Sequence, residues 1–180
     1  MIRTADLLIL TVLCGLVTTP TLAHSTARSP ENTQTNKAAS MTDTSPLIDL
    51  FNRWESVWHE GRYDLIPGCV GETYVRHDQQ GNRSVTRDAY AAEIQQVHKA
   101  RPGIRVVVYD HAFSGNRAWF RFAFKWTDPE TGEPRSQAGF QSYRTEDGKL
   151  VETWVTLQPI GSAWPDAVAQ ENWTSPPPIK

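Results

Sequence analysis

The residues best suited to chemistry are an adjacent histidine and aspartate, His77 and Asp78, at the end of a strand-like run. A carboxylate at the mouth of an apolar pocket is desolvated, which raises its pKa toward values useful for a general base. Trp54 and Gln141 carry N–H donors that could bind a substrate carbonyl and stabilise enolate-like charge. These residue types predict proton transfer on an apolar, carbonyl-bearing molecule, with no cofactor.

Each of these residues also has a structural interpretation. Asp78 precedes Gln79-Gln80-Gly81 and is equally well explained as the cap of that turn. Trp54 and Trp58 belong to a helical apolar stripe, where core packing is the more frequent role. Gln141 is more often a satisfied polar group within a strand. A second class of function therefore stays open: a non-catalytic protein that binds a small hydrophobic ligand, or an accessory domain.

The order of His77 and Asp78 limits what the pair can do. Neighbouring residues in a strand point to opposite faces, so only one of them lines a given cavity. If the strand register differs by one residue, His77 replaces Asp78 as the proton carrier. The chain has no HxH or HxxxH pair and no cysteine cluster, so we expect no metal site.

Three helical patterns come before the main run of strands. Ser45 is a candidate N-cap for the first helix, and Gly61 ends it. A short second helix is predicted from Asp64, and Thr86 caps a third helix. The first helix has an apolar stripe at helical spacing, made of Leu47, Leu50, Phe51, Trp54, Val57 and Trp58.

Strand-like segments make up most of the second half. After a short strand at residues 74–78, the runs 104–113, 118–126, 137–145 and 149–157 are rich in β-branched and aromatic residues. Asp147-Gly148 predicts a two-residue hairpin turn because both positions accept positive φ. Helices followed by a curved antiparallel sheet indicate an α+β domain with an apolar pocket between the two layers.

Period-two alternation predicts which strand residues face that pocket. We expect it between the first helix and the concave face of the sheet, with a small hydrophobic molecule as its ligand. The predicted lining is Trp54, Trp58, Phe120, Phe122, Phe124, Gln141, Thr153 and Val155. The opposite face carries Trp119, Arg121 and Trp154, and aromatic residues on a non-core face predict a homodimer through that surface.

Composition and the N-terminus constrain partners and location. A net charge of −2 without a basic run makes nucleic acid an improbable partner. Arg3, the apolar stretch 7–17 and Thr21-Leu22-Ala23 predict an export signal over residues 1–23, and the protein would then be secreted or periplasmic. Eleven apolar residues are too few to span a bilayer, which needs ~20, so we expect no stable membrane insertion after cleavage.

Four segments therefore divide the chain. The signal is followed by a disordered linker at residues 24–45, one domain at 46–158 and a C-terminal tail at 159–180. Met41 is an alternative start, which would leave a cytoplasmic protein without a signal. After cleavage at Ala23 only Cys69 remains, so an internal disulfide is excluded.

Several motifs in residues 46–158 resemble the SnoaL-like branch of the nuclear-transport-factor-2-like superfamily, which includes ketosteroid isomerases and polyketide cyclases. They are Phe51–Gly61 with Trp54, Tyr74-Val75-Arg76-His77-Asp78, Pro102-Gly103, and Tyr143-Arg144 through Gly148-Lys149 to Glu152-Thr153-Trp154. The resemblance implies a cone-shaped fold, in which a strongly bent sheet wraps around three N-terminal helices and a deep apolar pocket. Members of this family are commonly homodimers, so the resemblance also implies a homodimer.

The resemblance assigns roles position by position. Asp78 resembles the general base of ketosteroid isomerases, Trp54 stands where they have a phenol donor, and Gln141 stands where they have a protonated Asp. In SnoaL-like cyclases an acid follows the Glu-x-Trp motif, whereas here Val155 follows Trp154. The acid of cyclase chemistry is therefore absent from that position.

Overall fold

The computed structural model describes residues 44–165 and 168–178. The predicted export signal, and the predicted linker apart from its last two residues, lie outside the described residues. The tail predicted from residue 159 is described except for residues 166–167 and 179–180.

Helix α1, Ser45–Glu60, presents its apolar stripe to the interior as predicted. All six predicted stripe residues are buried. Ser45 is the first helical residue rather than the N-cap; Thr44 occupies the cap position, without a side-chain hydrogen bond. The sequence prediction was one residue late because Pro46 fits either of the first two helical positions. Gly61 ends the helix in the left-handed region, with φ of 67°.

Two short turns and one longer helix complete the helical layer. A 3₁₀ turn at Tyr63–Leu65 leads into α2, Ile66–Cys69, where the sequence predicts a second helix. Helix α3 spans Arg87–Ala100. The predicted cap Thr86 is confirmed, since its hydroxyl oxygen accepts a hydrogen bond of 3.2 Å from the Ala89 N–H.

Six strands form one curved sheet that does not close on itself. They are β1 Val70–Asp78, β2 Gly81–Thr86, β3 Arg105–Ser114, β4 Arg117–Thr127, β5 Pro134–Glu146 and β6 Lys149–Leu157. The order is β2-β1-β6-β5-β4-β3. The predicted α+β class is confirmed, with one detail added: β1 and β6 are parallel while every other pair is antiparallel.

Strand β2 was not predicted from the sequence. The turn read at Gln79-Gln80-Gly81 is present, and the chain then reverses to pair with β1 from Asp78↔Gly81 to Thr73↔Thr86. The segment Gly81–Thr86 is mostly polar because it is the edge strand and is largely exposed, so it lacks an apolar alternation.

The β5–β6 hairpin and the β4 alternation follow the sequence prediction. Asp147 and Gly148 have φ of 48° and 70°, as a turn with two positive φ values requires. Phe120 and Phe122 are buried on the concave face, and Phe51 of α1 lies 4.7 Å from Phe120 between ring centroids. The concave face therefore packs on α1 through aromatic side chains.

The C-terminal segment returns across the domain instead of leaving it. Trp164 donates its indole N–H to the Phe122 carbonyl at 2.8 Å. Trp173 is almost fully buried and belongs to the same core as α1 and the sheet. Its indole N–H donates to the Val106 carbonyl at 2.9 Å, and its backbone N–H donates to Glu55 Oε2 at 3.0 Å.

Candidate functional site

An open cavity of about 270 Å³ lies between α1, α3 and strands β1, β2, β4, β5 and β6. Apolar and aromatic side chains form one part of its wall: Trp58, Tyr90, Ile94, Val97, Phe124, Val155 and Leu157. Charged and amide side chains form the rest: Arg76, Asp78, Gln79, Gln80, Arg83, Glu93, Arg101 and Gln141. Such a cavity can hold a small molecule that is apolar at one end and polar at the other.

The charged part of the wall comes from the β1–β2 hairpin and α3. Arg76 and Arg83 are directly paired across β1 and β2, an arrangement that repels when nothing lies between the two cations. Glu93 of α3 bridges them, at 2.7 Å from Arg76 and 2.5 Å from Arg83. Asp78 lies 3.1 Å from Arg76 and 3.3 Å from Arg83. We call these four residues the charge cluster.

Asp78 faces the cavity, as the sequence prediction for a general base requires. It also caps its turn, because one carboxylate oxygen accepts a hydrogen bond of 2.9 Å from the Gln80 N–H. The structural interpretation as a turn cap is therefore confirmed, and the same carboxylate also lines the cavity. Its surroundings differ from the expected apolar pocket mouth, since two guanidinium groups contact the carboxylate.

His77 points to the other face of the sheet, as strand alternation predicts. Its ring nitrogens interact with Asn82 Oδ1 at 2.8 Å and with Glu152 Oε1 at 2.9 Å. The ring stacks on Trp154 with centroids 4.9 Å apart. The hydrogen bonds to Glu152 and Asn82 raise the pKa of His77. The register therefore places Asp78, and not His77, at the cavity.

Trp54 is fully buried and does not line the open cavity. Its ring lies 6.5 Å from that of Trp58, which does line it. The indole N–H of Trp54 has no hydrogen-bond partner of good geometry, although the hydroxyl group of Tyr143 is its polar neighbour. A donor on α1 is therefore present, but it points into the core.

Three tyrosines form a buried group at the cavity, and Tyr90 is itself part of the wall. Burial raises the pKa of the Tyr74, Tyr90 and Tyr143 hydroxyl groups, because an apolar environment disfavours the phenolate. These hydroxyls therefore stay protonated over the working pH range and can donate hydrogen bonds. Beside them, the Gln141 side-chain amide donates to Thr153 Oγ1 at 3.0 Å.

The predicted lining residues separate into three groups. Trp58, Phe124, Gln141 and Val155 do line the open cavity. Phe120 and Phe122 instead line a small void of about 10 Å³, which Trp173 also lines. Thr153 is fully buried and borders neither space. Period two identified the correct face of the strands, but which part of that face stays open depends on Trp173 and α3.

Sequence reasoning missed most of the polar wall. Arg76, Arg83, Glu93 and Arg101 were not proposed as site residues, yet all four line the cavity. The available signal was the alternation of Arg76 and Asp78 on one face of a strand, followed by a turn and another arginine at the facing position. Without β2 in the predicted topology, Arg83 had no place beside them.

Two absences hold for the part of the chain that the structure describes. Residues 44–165 and 168–178 contain no group of three or more His, Cys, Asp or Glu side chains arranged to hold a metal ion. Within the same ranges no helix has both the length and the hydropathy needed to cross a membrane.

Comparison with known proteins identifies the family. A model of the SnoaL-like domain matches residues 51–153, more than half of the chain. The chain therefore belongs to the SnoaL-like domain family, and the resemblance drawn from its motifs is confirmed. None of the curated proteins matches the chain.

Solved structures agree on the fold. A candidate polyketide cyclase from Acidithiobacillus ferrooxidans superposes with a TM-score of 0.59 at 17% identity, covering 66% of this chain and 92% of that one. IdmH, a candidate polyketide cyclase from Streptomyces antibioticus, gives 0.57 at 18% identity, covering 63% and 92%. A Catenulispora acidiphila protein with a ketosteroid isomerase-like fold, in complex with trimethylamine, gives 0.53 at 9% identity, covering 60% and 84%.

Proposed function

We propose that this domain binds a small molecule with an apolar body in the open cavity. The observation that carries the proposal is the composition of the wall, where Ile94, Val97 and Phe124 line the same cavity of about 270 Å³ as the charge cluster. Ligand sites typically combine an apolar lining with a few placed polar groups. The volume lies just below the usual ~300–1,000 Å³, which favours a small ligand.

Two neighbouring residues of β6 provide a matched test. Val155 lines the cavity, whereas Thr156 is exposed and points to the opposite face of the sheet. Val155→Trp fills the cavity, and Thr156→Trp adds the same ring outside it. In a ligand-observed NMR screen of small aromatic fragments, the unchanged protein and Thr156→Trp should bind and Val155→Trp should not. Equal binding by all three proteins would place the ligand site elsewhere.

A second candidate function is proton transfer by Asp78 on a carbonyl-bearing ligand. The observation that favours it is the position of this carboxylate at the cavity, at the end of β1, where the family resemblance puts a general base. The ion pairs with Arg76 and Arg83 oppose it, because both guanidinium groups contact Oδ2 while the Gln80 N–H binds Oδ1, which leaves neither oxygen free to take a substrate proton. Ligand binding without chemistry is therefore the better supported function.

Deuterium exchange distinguishes these two candidates. NMR would follow the loss of α-proton signals from a ketone that binds the cavity, in D₂O. If Asp78 is the base, Asp78→Asn lowers the exchange rate ~10²–10⁴-fold. Glu93→Gln removes the other carboxylate of the charge cluster and serves as the control for broken ion pairs. Equal losses in both variants, or no enzyme-dependent exchange, would leave only ligand binding.

We also propose a homodimer through the convex face of the sheet. Trp119 and Phe140 are both 37% exposed there, with ring centroids 5.6 Å apart. Trp164 of the same chain covers one side of Phe140, at 4.9 Å, so the free apolar surface is smaller than the sequence predicts. Sedimentation at micromolar concentration should show a dimer that Trp119→Lys dissociates; a monomer would contradict the proposal.

The N-terminal proposal is export with cleavage after Ala23. It is supported by the charged start, apolar stretch and small-residue site, in that order. Mass spectrometry of the mature protein should show a chain that begins at His24 in the secreted or periplasmic fraction. A chain that begins at Met41 or Thr42 would indicate cytoplasmic translation from the internal start.

A further inference from the structure

The charged side chains around the open cavity do not balance. Three arginines and two carboxylates line it, which leaves one positive charge in excess. The charge cluster accounts for two of each, because Arg76 and Arg83 both contact Asp78 and Glu93. The remaining charge is that of Arg101, which follows the last residue of α3.

Arg101 has an aromatic contact but no anionic partner. Its guanidinium lies 4.5 Å from the centre of the Trp126 ring. Among the residues that the structure describes, no carboxylate lies within ion-pair distance of the Arg101 guanidinium, and the hydrogen bonds of this residue are made by its backbone. The side chain is half-buried, and this burial lowers the pKa of Arg101 because it disfavours the charged form. An anion that entered the cavity would offset that cost with charge-assisted hydrogen bonds.

The charge cluster gives a second indication that hydrogen-bond donors outnumber acceptors in the polar wall of the cavity. The Nε–H groups of Arg76 and Arg83 are buried and have no hydrogen-bond partner. Each guanidinium has five N–H donors and no acceptor, and two carboxylates cannot satisfy them all. The polar wall therefore lacks negative charge and hydrogen-bond acceptors, and a ligand could supply both.

We propose that the cavity takes a small amphipathic monoanion, whose carboxylate pairs with Arg101 while its apolar body lies against Val97 and Phe124. A planar carboxylate matches the fork of a guanidinium and can be held by two parallel hydrogen bonds. This inference rests on the proposed function, because it names the ligand class of the same cavity.

Three probes of one shape and different charge test the ligand class. They are 3-phenylpropionate, its neutral analogue 3-phenylpropionamide and the cation 3-phenylpropylamine, with affinities measured by isothermal titration calorimetry. The carboxylate should bind at least ~10-fold more tightly than the amide, because a hydrogen bond to a charged group is worth more than a neutral one. The amine should bind weakest, because the cavity already has excess positive charge.

Substitutions at two arginines locate the charge that is recognised. Arg101→Met keeps the apolar stem and should reduce carboxylate affinity ~10-fold without changing amide affinity. Arg101→Lys keeps the charge and should lose less. Arg117 is the matched control, since its guanidinium also lies over a tryptophan, 5.0 Å from the Trp154 ring, but it does not line the cavity. Arg117→Met should alter neither affinity.

The outcomes distinguish anion recognition at Arg101 from the small-molecule binding on which that inference rests. If the amide or the amine binds as tightly as the carboxylate, the anion inference is wrong and small-molecule binding still stands. If Arg101→Met leaves carboxylate affinity unchanged, the anion is not held by Arg101 and the inference is also wrong. If none of the probes binds at millimolar concentration, the inference is wrong, and the fragment screen with Val155→Trp decides the function.

Discussion

Two neighbouring parts of the interior, the open cavity and the small void, differ in what fills them. Both lie on the concave face of the sheet, and Gln141 lines both. The cavity of about 270 Å³ has a charged wall from β1, β2 and α3. The void of about 10 Å³ is lined in part by Trp173, a residue outside the helices and strands that the structure describes.

The difference shows that the C-terminal segment decides how much of the cone is available. A void of this size holds at most about one water molecule, so Trp173 fills the space beside Phe120 almost completely. Its ring lies 6.0 Å from the Phe120 ring and 5.8 Å from the His59 ring. Within residues 44–165 and 168–178, no equivalent side chain fills the part of the interior next to Arg101 and Asp78, and that part remains the candidate site.

The largest expected effect is the loss of Trp173. Trp173→Ala should lower the free energy of unfolding by about 3–5 kcal/mol, as is typical when a buried large aromatic is truncated. The control is Val168→Ala in the same segment, where the side chain is 57% exposed and the expected change is within about 0.5 kcal/mol. Urea unfolding would measure both. Equal stability of the two variants would show that Trp173 does not close the interior.

A substitution at the boundary between the open cavity and the void should have an intermediate effect on the free energy of unfolding. A Cβ atom at Gly139 would lie 2.7 Å from Leu157 Cδ2, which borders the cavity, and 3.0 Å from Phe122 Cζ, which borders the void. Gly139→Ala should therefore lower the free energy of unfolding by about 1–3 kcal/mol through overpacking.

The control for this boundary is Gly68→Ala. A Cβ atom at Gly68 would have no atom within 4 Å, and alanine favours the helical backbone of α2. This variant should be as stable as the unchanged protein or slightly more stable in thermal unfolding. If Gly139→Ala and Gly68→Ala unfold at the same temperature, the residues between the cavity and the void are loosely packed, and the predicted overpacking is wrong.

The smallest expected effect is on how the free energy of unfolding changes with pH, and the sign of that change differs between His59 and His77. Burial lowers the pKa of His59, whose Nε2 accepts a hydrogen bond from the Val106 N–H at 3.2 Å beside Trp173. Its contribution to stability is therefore complete above the unfolded value of 6.5 and is lost as pH falls through the folded pKa. The hydrogen bonds of His77 raise its pKa, so its contribution is complete below 6.5 and is lost as pH rises.

Single substitutions can isolate the contribution of each histidine to the pH dependence of the free energy of unfolding. The free energy of unfolding would be measured for the unchanged protein, His59→Gln and His77→Gln between pH ~5 and ~8, where histidine titrates. The difference caused by His59→Gln should shrink as pH falls, and the difference caused by His77→Gln should grow. Slopes of the same sign would contradict the burial of His59 beneath Trp173 or the ion pair between His77 and Glu152.

Local patterns in the sequence predicted α1, the Asp147-Gly148 turn and the aromatic face of β4. Each depends on periodicity or turn chemistry within about fifteen residues, which the sequence shows directly. The same reasoning showed that only one of His77 and Asp78 could face the pocket, because alternation along β1 is also local. It could not choose between His77 and Asp78, since that choice depends on pairing with β6.

Contacts between residues that are far apart in the sequence could not be predicted from local patterns. Strand β2 has few apolar residues, yet pairing with β1 puts Arg83 opposite Arg76. Glu93 reaches both cations only because α3 packs on this hairpin. Trp173 lies 118 positions after Glu55, which accepts its backbone hydrogen bond, and no periodic pattern marks it as a core residue. The polar wall and the small void both depend on contacts of this kind.

A crystallographic soak with 3-phenylpropionate tests the central claim most directly. The account predicts that the ligand lies in the open cavity, with its ring against Phe124 and Val155 and its carboxylate at Arg101, while Trp173 keeps its place beside Phe120. A ligand bound only on the convex face at Trp119 and Phe140, or one that displaces Trp173 and leaves the open cavity empty, would contradict it.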